Sequence, residues 1–228
     1  MLRDIQALFA SVPLNGKVLD YKNAIIAENV LLKPTEASRA EAFQRLKQLY
    51  SLDDRFMLFY TLRLLWDQAN EAQPLLALLC AIARDPLLRA TADFVTTLPE
   101  GAVVTSPAFA KIVEEHFPGR LRKTTLTSGS GNIASSWAQS GHFSGRTEKV
   151  RHIVNPHPIA IAYALFLAYL CGCRGNSMFD STWLRLLDTP LYILQEKAQQ
   201  ASQQGWLEYR HTGAITEITF RHFLKDKV

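Results

Sequence analysis

Acidic side chains are missing from one long stretch of this chain. Between Gly119 and Thr147 there is no Asp or Glu, although 21 of the 228 residues are acidic. Cysteine is scarce as well. Cys80, Cys171 and Cys173 do not read as a disulfide framework, and Cys171 and Cys173 are too close to bridge comfortably. The last two lie in or beside an apolar run, so buried free thiols in a reducing compartment are expected. No long hydrophobic run is present: "IAIAYALFLAYLCGC", Ile159 to Cys173, falls short of the ~20 residues that cross a bilayer. Pro156 and Pro158 precede it and Gly172 and Gly175 close it, which suits a buried core helix. The N-terminal "MLRDIQALFA" lacks a basic region followed by a sustained apolar stretch, so no secretory signal is expected and the protein reads as cytoplasmic, without a membrane partner. HExxH, GxSxG, paired CxxC and DxD patterns are all absent and the six His are scattered. The expectation is no enzyme, no catalytic residue, no metal and no cofactor.

What is present is a core-forming chain. Hydrophobic residues make up 48% of it, enough for one large domain or two small ones. The net charge of +4 is mild but favours an anionic partner. Helical periodicity dominates residues 18–117. "YKNAIIAENVLL" reads as a helix stopped at Pro34. Thr35 then caps a helix whose Ala42, Phe43, Leu46 and Leu49 share one face, with Arg39, Gln44, Arg45 and Lys47 opposite. "DDRFMLFYTLRLLWDQA" is apolar nearly all round and suits a central helix, with Asp53 or Asp54 at its cap. Pro74 and Pro86 mark two further helix starts. Residues 1–100 therefore read as an N-terminal helical bundle.

From 101 to 155 the texture changes. "SPAFAKIVEEHFPG" is a helix with a Ser-Pro start and a Pro-Gly stop. Ile133 and Trp137, continued backwards by Ser130 and Leu126, draw a thin core stripe. Asn132, Ser135, Ser136 and Gln139 cover the other faces. Gly129 and Gly131 weaken this helix, so it is expected to begin at Asn132. After a glycine turn, Val150, His152 and Val154 alternate with Lys149 and Arg151 as a strand would. This is the element order of a winged helix-turn-helix. Residues 156–228 repeat the order: the apolar helix, "SMFDSTWLRLLD", "LYILQEKAQQASQQG", and then "WLEYR" and "AITEITF" as a hairpin around His211-Thr212-Gly213. The fold class expected is mainly α, a helical bundle with winged helix-turn-helix units and short β-hairpin wings.

The acid-free segment "RLRKTTLTSGSGNIASSWAQSGHFSGRTEKVRHI" has the composition of a helix that lies in a DNA groove. Arg and Lys meet phosphates, and small hydroxyl and amide side chains reach phosphate oxygens or base edges. Arg120, Arg122, Lys123 and Thr124 are assigned to the phosphates beside the groove, Asn132, Ser135, Ser136 and Gln139 to bases or phosphates. Arg146, Lys149 and Arg151 are assigned to a wing on the neighbouring backbone. Arg39, Arg45 and Lys47 would extend the track. A nucleotide cradle at "TSGSGN" is disfavoured, because no strand reads clearly upstream and GxxxxGK followed by Ser or Thr is absent. An inert surface loop and a protein contact remain the plain alternatives.

The chain also resembles the BrxA family of BREX phage-defence systems. The likeness is carried by "IIAENVLLKPTEASRAEAFQRLKQLYSLDD", "PLLALLCAIARDPLLRATADFV", "GNIASSWAQSGHFSG" and "GWLEY…ITEITF", over most of residues 20–220. It implies a helical body with helix-turn-helix character and non-catalytic binding of double-stranded DNA. It further implies work beside other phage-defence proteins. A protein–protein adaptor is the alternative function, and RNA stays open as a partner because a basic helical surface does not by itself choose A-form or B-form.

Overall fold

Ile5, Leu8 and Phe9 recur at three- and four-residue spacing, and they are the buried side of the first helix, α1 (Leu2–Ser11). The computed structural model describes residues 1–213 and 215–224. It is mainly helical with two small antiparallel sheets. The sequence reading passed over α1, although its apolar spacing is regular. The next helix, α2 (Val18–Ile26), stops well before Pro34. The Asn29 carboxamide explains this: its Oδ1 accepts from Lys33 N at 2.8 Å and its Nδ2 donates to Lys33 O at 3.0 Å. That side chain holds the backbone in a turn that competes with helix, and Asn29 and Leu32 both take positive φ.

Helix α3 (Glu36–Tyr50) opens on a reciprocal cap, in which Thr35 Oγ1 accepts from Ser38 N at 3.1 Å. Helix α4 (Met57–Trp66) begins at Phe56 without a side-chain cap; Asp53 is instead engaged by Arg55, at 2.7 Å. Helices α5 (Gln73–Arg84) and α6 (Pro86–Ala90) follow the expected proline starts and Asp85 caps α6, but the helix from Pro86 breaks at Thr91 and resumes as α7 (Ala92–Thr97).

A strand β1 (Val103–Thr105) then leads into α8 (Ser106–His116), α9 (Lys123–Gln139), β2 (Phe143–Ser144) and β3 (Glu148–Arg151). The sheet order is β1-β3-β2, all antiparallel, with Val103 opposite Val150 and Phe143 opposite Arg151. Helix α9 starts at Lys123, nine residues earlier than Asn132, and runs straight through both glycines.

The apolar run forms α10 (Pro158–Leu170), with every residue from Pro158 to Ala168 buried. It is a core helix packed on α4 and α5 and on the elements that follow it, and the Tyr163 hydroxyl donates to Leu58 O at 2.9 Å. Among the described residues no helix is long and apolar enough to cross a membrane. After α10 come α11 (Thr182–Arg185), α12 (Leu191–Gln203), a hairpin of β4 (Glu208–Thr212) and β5 (Ile215–Thr219), and α13 (Arg221–Leu224). The buried side chains form one continuous cluster from Ile5 to Phe223. Cys80 is buried, and burial pushes its thiol up to about 12. Cys171, against expectation, is exposed: it sits at the C-cap, where α10 leaves the core and Gly172 turns the chain at φ +92°.

Candidate nucleic-acid interface

Helix α9 is divided along its length. Its second half is anchored: Ser130, Ile133, Ala134 and Trp137 are buried, and Trp137 Nε1 donates to Thr91 Oγ1 at 2.9 Å. The Trp137 ring also meets His142 edge-on, with centroids 4.9 Å apart. Its first half protrudes. Lys123, Thr124, Thr125, Thr127 and Ser128 are exposed, and no side chain caps the first turn, which holds no acid. The open amides and the partial positive charge of that end therefore face solvent, and Arg120, Arg122 and Lys123 stand around it, all exposed. Arg146 is exposed on the β2–β3 turn. Among the described residues none of these four cations makes an ion pair. Two carboxylates lie near in sequence: Glu114 Oε1 accepts from Gly119 N at 2.8 Å, and Glu148 is exposed beside the turn.

Five of the sequence assignments change, Arg39 of the extended track among them. Lys149 is only 8% exposed, and its Nζ donates to Gly145 O and Arg146 O at 2.7 and 2.9 Å. It closes the turn from inside and offers no charge to a ligand. Gly145, at φ +91°, is obligatory there, since a Cβ would fall 2.1 Å from Glu148 O. Arg151 is 1% exposed. Its Nη2 meets Asp188 Oδ1 at 2.5 Å and its Nε donates to Val95 O at 3.1 Å, while Nη1 donates to His152 O. The alternation of the strand is thus inverted: Lys149 and Arg151 point inward, and His152 faces solvent.

Gln139 and Ser135 are also spoken for. Gln139 Oε1 accepts from Leu2 N at 2.9 Å, and its Nε2 donates to Ser135 Oγ at 2.7 Å. They seat α1 on α9, and both also line the cleft between α9 and α3.

Below the β2–β3 hairpin, Asp188 joins a buried polar cluster. Its side chain is 3% exposed and lies 3.7 Å from His142 Nε2. Burial holds the imidazole down at about 4, with the Asp188 charge opposing. The ring is therefore neutral. Nε2–H donates to Leu186 O at 2.9 Å, and the one hydrogen of the Ser140 hydroxyl is shared between Nδ1 at 2.8 Å and Trp137 O at 2.9 Å.

The remaining assignments fall into two groups. Arg120, Arg122, Lys123, Thr124 and Arg146 stay exposed, as does Asn132 farther along α9. Of the extended track, Arg39 is used internally, Nη1 donating to Ile26 O at 2.8 Å, and Lys47 is exposed. Arg45 comes closest to α9. With Gln48 it forms the α3 wall of a cleft of about 190 Å³ whose other wall holds Gly129, Asn132 and Ser136. Ser136 is half-buried there and its hydroxyl donates to Asn132 O at 3.0 Å. Gly129 and Gly131 each cost this helix about 1 kcal/mol relative to Ala. A Cβ on either would meet nothing within 4 Å, so nothing inside the chain requires them to be bare.

Sequence reasoning missed Thr125, Thr127 and Ser128, exposed on the first half of α9. Starting the helix at the Arg122–Lys123 pair would have found them. Among the described residues no group of three or more His, Cys, Asp or Glu side chains is placed to hold a metal ion. Comparison with family models, with curated proteins and with solved structures finds no match to this chain.

Proposed function

We propose that this protein binds double-stranded DNA without catalysis, and that it does so as a BrxA-like component of a bacterial phage-defence assembly. In this reading residues 101–155 act as a winged helix-turn-helix. The strand–helix–helix–hairpin order and the β1-β3-β2 sheet support it, because that arrangement presents its second helix to a major groove and its turn to the flanking backbone. One observation carries the proposal: the uncapped, acid-free start of α9, with Arg120, Arg122 and Lys123 exposed around it, without an ion pair among the described residues, and hydroxyls along its protruding turns. Amides and cations together suit phosphate oxygens.

The test is salt dependence. Four phosphate contacts, one for each of Arg120, Arg122, Lys123 and Arg146, give a log–log slope of about −3.6 and a loss of roughly 100-fold between ~50 and ~200 mM salt. Charge reversal in Arg122→Glu with Lys123→Glu should abolish binding to unrelated duplexes at low salt. Unchanged affinity in that variant refutes the reading.

The adaptor alternative has its own support. Ile153 and Leu191 are 48% and 52% exposed and line a groove of about 640 Å³ at the start of α12, a surface that a protein partner could cover. An adaptor shows no steep salt slope with DNA. Equal affinity for duplex RNA would shift the assignment to A-form helices.

A further inference from the structure

The cleft between α3 and α9 adjoins the exposed end of α9, and it has features the protein's own packing does not use. Its α3 wall offers the Arg45 guanidinium and the Gln48 amide, its α9 wall Asn132 and Ser136, with Gly129 between them. Among the described residues the one ion pair of Arg45 is a 3.4 Å contact to Glu41, and its side chain stays 45% exposed. The carboxylate in the lining, Asp85, is already occupied, Oδ1 accepting from Leu87 N and Leu88 N at 2.9 and 3.3 Å. Above Gly129 the space is open. A helix interrupted by glycine where no neighbour demands it is what a close-lying backbone from another molecule requires.

We infer that this cleft receives the sugar-phosphate backbone of one strand of the bound duplex, with Arg45 on a phosphate and the bare surface at Gly129 letting the strand lie against α9. The inference rests on the DNA-binding reading above and extends the contact from the winged unit onto the N-terminal helices. Arg45 acts as the cation, Gln48 and Asn132 donate to phosphate or sugar oxygens, and Gly129 contributes by having no side chain.

The experiment is fluorescence anisotropy with a 20-base-pair duplex across a salt series, paired with thermal melts of the same proteins. Gly129→Ala should raise the melting midpoint by about 2–4 °C, because alanine favours helix and meets no neighbour, and should at the same time weaken DNA binding. Arg45→Gln should weaken binding about tenfold and reduce the salt slope by about 0.9, the signature of one lost phosphate contact. Gains in stability together with losses in affinity are an outcome that a merely structural glycine does not produce. Arg122→Gln with Lys123→Gln is the control for the parent reading. If that control weakens binding while Gly129→Ala and Arg45→Gln bind like the parent protein, the cleft assignment falls and the winged-unit reading stands. If the control also binds normally, both fall. A Gly129→Ala protein that melts below the parent contradicts the open space over residue 129 and overturns the argument as well.

Discussion

Replacing Asp188 by Asn removes one negative charge and keeps the shape of the side chain. The backbone there has φ +51°, a conformation that asparagine and aspartate both adopt readily. The carboxamide keeps one oxygen, which can still accept from Arg151 Nη2, while the position that accepts from Val154 N at 3.4 Å becomes an NH2 group. What changes is that the Arg151 guanidinium, 1% exposed, loses its counter-ion in a place that water cannot reach. Removing one partner of a buried pair typically costs 3–5 kcal/mol, and the retained oxygen puts this case near the lower end, about 3 kcal/mol. For a chain of this length each kcal/mol moves the midpoint by about 2–4 °C, so a fall of roughly 6–12 °C is expected. Thermal unfolding followed by circular dichroism at pH 7.5 reads it directly. Adding Arg151→Met to Asp188→Asn should recover most of the loss, because a hydrophobic side chain in that site has no charge to satisfy. DNA affinity of the double variant, measured well below its midpoint, should match that of the parent. A single Asp188→Asn variant melting within 2 °C of the parent would show that the pair is not stabilised by its charges, and the burial argument for Arg151 would fail with it.

Two further outcomes follow from the same region. His142 is held neutral in the fold, with its value lowered to about 4 against about 6.5 in an unfolded chain. The stability tied to this group is therefore fully present above pH ~6.5 and is lost as pH falls from there toward 4, about 3 kcal/mol in all. Urea unfolding at pH 7.5, 5.5 and 4.5 should show that decline in the parent and a shallower one in His142→Gln; parallel declines would assign the pH response elsewhere. Trp137→Phe deletes the bond from Nε1 to Thr91 Oγ1 and part of a fully buried ring. A loss of about 1–3 kcal/mol by chemical denaturation is expected, and no loss would mean that α9 is not anchored through Trp137.

Local chemistry made much of the helical body legible. Thr35 before Glu36, Pro74, Pro86 and the Ser106-Pro107 start all mark real helix beginnings, and the apolar stretch after Pro158 is the buried helix its length implied. The misses share a cause in partners remote along the chain. Nothing near Arg151 reveals that Asp188 and the Val95 carbonyl, 37 and 56 residues away, will enclose it. Alternation alone therefore put the apolar residues of β3 on the inside. Gln139 looked available because its partner, the backbone of Leu2, is 137 residues distant. Helix α9 was begun too late for a different reason. Two glycines lower helix propensity by about 2 kcal/mol, but the anchored Ile133 and Trp137 face outweighs it. Of the candidate site, the basic entry was readable from composition, whereas its closeness to Arg45 is a matter of tertiary packing.

One guanidinium, that of Arg151, ties together α7, the strand β3 and the loop ahead of α12. Synthesis delivers these pieces at different times, since a chain leaves the ribosome N-terminal end first. The hairpin around Gly145 emerges while the carboxylate that neutralises its inner arginine has still to be made. A nascent chain ending at residue 155 thus carries an arginine whose counter-ion has still to be made, and this buried pair closes only after translation has passed Asp188.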